Sequence, residues 1–288
     1  MPERHHRVGI VPRLSHQAAL DASRELCRWL TARGREVYLE DTLEGDWPGR
    51  KLPQEKLRET IDFLVVLGGD GTLIHAASVL AGRPVPILGV NMGSLGFMTE
   101  IPVVEMFPAL EDALEGRYSV SERMKLDAAL FRGEGPPLVR QQVLNDVVIS
   151  KGALARIADL EVTFDGKLVT LYKADGIIVA TPTGSTAYSL SADGPILHPA
   201  LEAVVISPIC PHTLTQRPIV MPPEKAIHVT LTSDNGEVYL TLDGQSGLRM
   251  ERGDTVEVVR SADRVLLVHN PRLDYFSILR AKLRWGER

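Results

Sequence analysis

Cysteine is nearly absent from this chain: Cys27 and Cys210 are the only two among 288 residues. They stand far apart, in no CxxC or metal-type spacing. That argues against a disulfide framework and a thiolate zinc site, and fits the reducing cytosol. Aromatic residues make up only 5%. No apolar run approaches the roughly 20 residues that a membrane helix needs. The segment from Met1 to Pro12 lacks the apolar stretch of a secretory signal. Positive charge is in deficit, with 32 Lys and Arg against 37 Asp and Glu. No global field therefore invites nucleic acid or a membrane surface, although a local basic site for phosphate remains open. These absences point to a cytoplasmic protein. What is present is ordinary globular material, 44% apolar and 24% charged, long enough for two domains with sizeable cores.

The first third alternates strand and helix. Val8 to Val11 reads as a short strand. Ser15 is the expected cap of a following helix, with Ala19, Ser23, Leu26 and Leu30 on one face and Gly34 just past its end. Val37 to Leu39 and the apolar runs Ile61 to Leu67 and Val85 to Val90 read as further strands, with a helix over Leu73 to Leu80. Continuous apolar strands suit a sheet covered on both faces. This predicts an α/β domain with an open, mostly parallel sheet and ligands at the carboxyl ends of its strands. From about Leu126 the pattern changes to short alternating strands, as in Glu161 to Phe164, Leu168 to Tyr172, Ile227 to Leu231 and Glu237 to Leu242. Turn signals punctuate them at Asp165-Gly166, Asp175-Gly176, Asn235-Gly236 and Asp243-Gly244. That predicts a β-rich, antiparallel, sandwich-like second domain. The expected division is residues 1–120, then 121–271, with a helical basic end, about 272–288, packing back on the first domain.

Two glycine-rich turns follow neighbouring strands. Gly68-Gly69-Asp70-Gly71-Thr72 sits where a buried strand meets a helix. Its glycines admit a ligand to the main chain, and the helix start favours anionic oxygens. No GKS or GKT follows and the spacing is not GxGxxG, so neither a Walker loop nor a hydride-transfer site is indicated. The plainer alternative is a helix start with Asp as its cap. The second turn runs from Gly89 to Phe97. Asn145-Asp146 interrupts an apolar run, a costly place for an amide and a carboxylate without partners. It reads as a pair that orients sugar hydroxyls, or as a local Asx turn. The densest signal is Asp175 to Ser191, a buried strand running into Thr181-Pro182-Thr183-Gly184-Ser185-Thr186-Ala187-Tyr188. Its small hydroxyls suit sugar or phosphate oxygens, and Tyr188 can stack on a base.

Taken together with Pro211-His212-Thr213-Leu214 and Arg217-Pro218, these segments resemble the NAD kinase family, bacterial ATP- or polyphosphate-dependent members included. The GGDGT turn alone is shared with lipid kinases and phosphofructokinases. The family's usual Asn-Glu pair stands here as Asn145-Asp146. The resemblance implies phosphorylation of the 2′-hydroxyl of the adenosine ribose of NAD, giving NADP. It makes Asp70 the catalytic residue and Gly68, Gly69, Gly71 and Thr72 the phosphate loop. It assigns NAD contacts to Asp70, Gly71, His75, Asn145, Asp146, Arg156, Lys173, Asp175 and Thr186 to Ser191 (Thr186, Ala187, Tyr188, Ser189, Leu190, Ser191), with Gln245 completing the set and residues 121–271 forming the NAD-binding domain. It implies Mg²⁺ carried on the phosphates of ATP or polyphosphate, no metal fixed in the protein, and a homodimer or homotetramer in which Asp175 can reach a neighbour's site. Two alternatives stay open: a lipid or sugar kinase of the same superfamily, and a non-catalytic NAD(P)-binding sensor.

Overall fold

A computed structural model of the chain describes residues 5–153, 155–234 and 236–286. The fold divides into two compact units, residues 1–122 with 265–288, and residues 123–264. The first unit contains Arg7–Pro12 (β1), Gln17–Ala32 (α1), Glu36–Glu40 (β2), Arg50–Leu52 (β3), Gln54–Thr60 (α2), Phe63–Gly68 (β4), Asp70–Leu80 (α3), Pro86–Asn91 (β5), Ile101–Pro102 (β6) and Met106–Leu114 (α4). Its strands pair in parallel in the order β3-β2-β1-β4-β5, with β6 beside β5. All six residues of β4 are buried, as a strand covered on both faces requires. Ala19, Ser23, Leu26 and Leu30 form the buried face of α1. The helix is capped by His16, whose Nδ1 accepts the Ala19 N–H at 3.2 Å. Ser15, the residue expected there, instead accepts a bond from Arg13 Nε at 3.3 Å.

Strand order decides where a ligand belongs. From β1 the chain proceeds outward through β2 and β3, then returns to the other side of β1 for β4 and β5. The carboxyl ends of β1 and β4 therefore splay where the order reverses, the usual crevice of an open α/β sheet.

The chain continues with Val120–Phe131 (β7), Val139–Val143 (β8), Asp146–Lys151 (β9), Ala158–Phe164 (β10), Lys167–Ala174 (β11), Gly176–Ala180 (β12), Tyr188–Ser191 (α5), Val204–Ile209 (β13), Ile219–Met221 (β14), Ile227–Leu231 (β15), Val238–Leu242 (β16), Gln245–Met250 (β17), Thr255–Val268 (β18) and Tyr275–Leu283 (α6). In the second unit, β14-β13-β12-β9-β16-β17 form one antiparallel sheet. The other sheet includes β11, β10, β15 and the start of β18, also antiparallel. Leu160, Val162 and Val229 from one sheet and Ile149, Ile177 and Leu240 from the other share one buried core. This is the packing of a sandwich. The second unit ends at Arg264 within β18; the remainder of that strand belongs to the first unit, where Leu266 and Leu267 pair in parallel with Pro86 and Ile87 of β5.

Asp165-Gly166 and Asp243-Gly244 are hairpin turns with positive φ at both residues (50° and 72°, 51° and 68°), as a type I′ turn demands. Of the Asn235-Gly236 pair, Asn235 lies outside the described residues. Asp175-Gly176 departs from expectation. It is no hairpin turn, because β11 and β12 belong to different sheets. Glycine is needed there for close approach: a Cβ on Gly176 would lie 2.3 Å from the Ile149 carbonyl oxygen. Gly176→Ala is therefore expected to cost roughly 1–3 kcal/mol, as overpacking against main chain does. Gly135→Ala, which meets nothing within 4 Å, should stay within about 0.5 kcal/mol of the wild type. Chemical denaturation midpoints compare the two.

Candidate active site

Asp70 is the first residue of α3, with Gly69 as the N-cap. A carboxylate at that position meets the positive end of the helix dipole. Its Oδ2 accepts the Phe97 N–H at 2.8 Å. Its Oδ1 accepts the N–H groups of Met98 and Thr99 and the Thr99 hydroxyl, each at 3.1 Å. A carboxylate offers about four lone-pair positions, two on each oxygen, so the turn after β5 fills Oδ1 and leaves one position open on Oδ2. The turn in turn fits around it: a Cβ on Gly96 would lie 2.2 Å from both Asp70 Oδ1 and Thr99 Oγ1. Asn91 stiffens the same turn. Its Nδ2 donates to the Ser94 carbonyl at 2.6 Å and to Thr99 Oγ1 at 3.2 Å, while its Oδ1 accepts the Gly93 N–H at 2.7 Å. The Met92 N–H donates to the Gly68 carbonyl at 3.0 Å. The two glycine turns are thus one bonded network with Asp70 at its centre.

A cleft of about 550 Å³ opens beside this network, lined by Pro12, Arg13, Leu14, Gly69, Asp70, Gly71, Thr72 and His75. These residues follow β1 and β4, so the cleft lies where the strand order reverses. A Cβ on Gly69 or Gly71 would meet nothing within 4 Å, which leaves the turn open to a ligand. Gly68 is the closed one, its Cβ position lying 2.4 Å from Thr72 Oγ1. Another cavity of about 460 Å³ lies beside α4. Its rim cations Arg117 and Arg272 are already paired with Asp112 and Glu105, so it offers an anion less than the Asp70 cleft does.

In the second unit a different carboxylate does similar work. Asp243 accepts the N–H of Leu144 at 2.7 Å on Oδ2, and those of Asn145 at 2.7 Å and Asp146 at 3.1 Å on Oδ1. Three consecutive main-chain donors hold the corner between β8 and β9. Read from sequence, Asp243 counted only as a turn residue, and these bonds were missed. The hydroxyl-rich segment packs on the same corner. The Thr181 N–H donates to the Asn145 carbonyl at 2.8 Å, and Thr181 Oγ1 to the Leu144 carbonyl at 2.6 Å. Gly184 is pressed against it, with its Cβ position 2.1 Å from the Asn145 carbonyl oxygen. Asn145 Oδ1 and Thr183 Oγ1 are buried with no hydrogen-bond partner among the described residues. Buried polar atoms are rarely left so, and a ligand donor is one way to complete them.

The remaining positions are less uniform. Ser185 and Ser189 turn inward, Ser185 Oγ accepting the Leu197 N–H and Ser189 Oγ bonding Ser207 Oγ, each at 2.9 Å. Thr186 donates to the Thr183 carbonyl at 3.2 Å. Tyr188 and Ser191 are exposed, and Ala187, Leu190 and Gln245 half-buried. Asp175 lies 3.7 Å from Lys151 Nζ. Lys173, on β11 of the other sheet, lies 3.7 Å from Asp159, while its carbonyl accepts the His212 N–H at 2.9 Å. Arg156 is exposed. Among the described residues, no three His, Cys, Asp or Glu side chains converge as a metal cage. No helix among them is long and apolar enough to cross a membrane.

A parallel α/β sheet with a glycine-lined, carboxylate-bearing cleft at its strand reversal is the architecture of a nucleotide-binding protein. Comparison with known proteins narrows this. Residues 8–118 match the ATP-NAD kinase N-terminal domain and residues 144–270 the ATP-NAD kinase C-terminal domain. The NAD kinase of Geotalea daltonii is 50% identical over 98% of this chain and 99% of its own length. That of Geobacter metallireducens is 53% identical over 92% and 93%. Yeast NADH kinase complexed with NADH superposes with a TM-score of 0.90 at 25% identity, covering 99% of this chain and 89% of that one. An Archaeoglobus fulgidus NAD kinase in complex with ATP gives 0.76 at 26% identity, covering 96% and 98%. The chain belongs to the NAD kinase family, and so to the phosphotransferases that act on a hydroxyl group. These matches favour neither the lipid- or sugar-kinase alternative nor the sensor.

Burial first, and the neighbouring Asp243 second, push the Asp146 carboxyl up to about 7. Asp243 is itself raised by burial, against its three main-chain bonds and the Lys125 charge, which lower it. For Asp146 the folded value lies above the unfolded 3.8, so the folded state holds the extra proton between those pH values. Stability is then lost as pH rises through that window. Asp146→Asn removes the buried charge and should melt higher than the wild type above neutrality, with the advantage vanishing near pH 4. Thermal unfolding as a function of pH measures it, at about 2–4 °C per kcal/mol for a chain of this size.

Proposed function

We propose that this chain transfers the terminal phosphoryl group of ATP or inorganic polyphosphate to the 2′-hydroxyl of the adenosine ribose of NAD, forming NADP. The observation that carries this is Asp70, a carboxylate at a helix start beside an open glycine turn, in the crevice of the sheet. Gly68, Gly69, Gly71 and Thr72 offer main-chain N–H groups and a hydroxyl to phosphate oxygens. Asp70 takes the proton of the attacking 2′-hydroxyl as its oxygen bonds to phosphorus and the bond to the leaving phosphate breaks. The transition state is loose and charge-rich, so positioning and electrostatics dominate. Donor phosphates carry Mg²⁺, which when bound neutralises charge developing on their oxygens; one nearby carboxylate suits an ion that keeps most of its ligands from water and phosphate.

Three donors crowd Asp70 Oδ1 and one engages Oδ2, so the substrate hydroxyl donates to the remaining lone pair of Oδ2. In the second unit, the unpartnered Asn145 Oδ1 accepts from a ribose hydroxyl. Asp146, raised to about 7, can donate as a neutral acid or accept as a carboxylate. His75, Arg156 and Lys173 supply positive charge. Thr186 to Ser191 hold the adenosine end, chiefly through Tyr188 and main chain. Gln245, next to the Asp243-Gly244 turn, and Asp175 complete the contacts. Exposed Leu168, Leu171, Ile219 and Val220 support a homodimer or homotetramer built on the second unit. The two free thiols support a cytoplasmic setting.

Asp70→Asn keeps the size of the side chain but removes the base. It is expected to lower kcat roughly 10²–10⁴-fold, the usual worth of general-base help. The measurement is NADP formation from NAD and Mg²⁺, with ATP or polyphosphate supplied in turn and read through an NADP-dependent dehydrogenase. Near-normal kcat in the folded variant would remove Asp70 from the proton transfer.

A further inference from the structure

Glu40 ends β2, at the same carboxyl edge of the sheet as the Asp70 cleft. It is a buried carboxylate, 8% exposed. Its Oε2 accepts the Thr42 hydroxyl at 3.3 Å. Its Oε1 has no hydrogen-bond donor among the described residues. The charge that meets Oε1 is His75, whose Nε2 lies 3.5 Å away in ion-pair contact. Burying a carboxylate this way is expensive unless the group beside it carries positive charge. His75 is placed to serve two sides. With Pro12 and Leu14 it lines both the Asp70 cleft and the small pocket that holds Glu40. Its imidazole is 43% exposed. Gly71 and Thr72, four and three residues earlier on α3, share its helix face.

We infer that Glu40 is a positioning residue: it holds the His75 imidazole as a cation at the wall of the Asp70 cleft, where it pairs with a phosphate oxygen of the bound nucleotide. This rests on the nucleotide reading proposed above and adds to it a residue outside the cleft. Contact with the Glu40 carboxylate lifts His75 above the usual histidine value, while burial works against it. Arg13 and Asp70 are the other charged groups lining the cleft, and their effects on an imidazolium oppose one another. A lysine or arginine at position 75 would stay charged throughout the neutral range, whereas histidine does not. The phosphate contact is therefore complete below the His75 pKa and lost as pH rises through it. Removing the Glu40 charge lowers that pKa, so the loss begins at lower pH.

The test uses the full chain, as wild type, Glu40→Gln and His75→Arg, over about pH 6 to 9. NMR titration of His75 should show its midpoint move downward in Glu40→Gln, a shift that a merely structural role would not produce. In the wild type, KM for one substrate should rise about tenfold through the His75 titration, the worth of a charge-assisted bond, with a smaller change in kcat. Glu40→Gln should move that rise to lower pH, and His75→Arg should abolish it. A rise in KM for ATP assigns the donor phosphates; a rise in KM for NAD assigns the dinucleotide pyrophosphate. Adding ATP or NAD separately while following the His75 resonance reads the contact without turnover. An unchanged His75 midpoint in Glu40→Gln overturns the inference. So does a pH-independent KM for both substrates with catalysis intact, or a His75 resonance that neither ligand moves. Absence of any NADP formation would instead sink the functional reading, leaving the titration to judge the ion pair.

Discussion

The first unit depends on one interaction: the Asp70 carboxylate accepting three successive main-chain N–H groups, from Phe97 to Thr99, and the Thr99 hydroxyl. Parallel strands place β4 and β5 side by side, so the loops that leave them must coexist at one edge. Glycine makes that possible, and Asp70 makes it definite. Gly96 gives the carboxylate room, Asn91 folds the second turn toward it, and the Met92 bond to Gly68 ties the turns at their base. The turn after β5 keeps its shape because it is anchored to a side chain that lines the cleft.

The second unit repeats the device. Asp243 captures the N–H groups of Leu144, Asn145 and Asp146 as Asp70 captures those of 97–99. Asp254 does a related task, accepting the Glu251 N–H while pairing with Arg132. A carboxylate satisfied by consecutive amides holds a corner more rigidly than a hydroxyl could, because charged acceptors make the stronger bonds. At the Asp243 corner the arrangement also sets the electrostatics. A buried carboxyl, Asp146, feels the charge of the half-buried Asp243, and Asp146, without main-chain donors among the described residues, is the one pushed up to about 7.

Much of the fold was legible because it follows from periodicity. The apolar run that became β4, the alternation in β15 and β16, and the Asp-Gly turns at 165 and 243 each have a local cause. Errors came where a local signal served a different contact. Ser15 looked like a cap but accepts from Arg13, and His16 caps α1. Gly176 looked like part of a turn but makes room for the carbonyl of Ile149. Glycine motifs and Asp70 stood out in sequence, whereas their partners did not: Thr99, 29 residues from Asp70, and Asp243, 97 residues from Asp146, are brought in by the fold alone. Glu40 carried no signal, since a single glutamate at a strand end looks like any solvated charge. The serines at 185 and 189 illustrate the reverse case, hydroxyls that suit a ligand by composition but are spent on internal bonds.

The central claim is that Asp70 both shapes the cleft and serves the chemistry in it. Amide hydrogen exchange at Phe97, Met98 and Thr99 tests it most directly, comparing the wild type with Asp70→Asn. If the carboxylate holds the turn, those three amides exchange at least about tenfold faster in the variant, while Leu144, Asn145 and Asp146, held by Asp243, are unchanged. Unaltered protection at all three, alongside lost turnover, would contradict the account and leave Asp70 a base with no part in building the site.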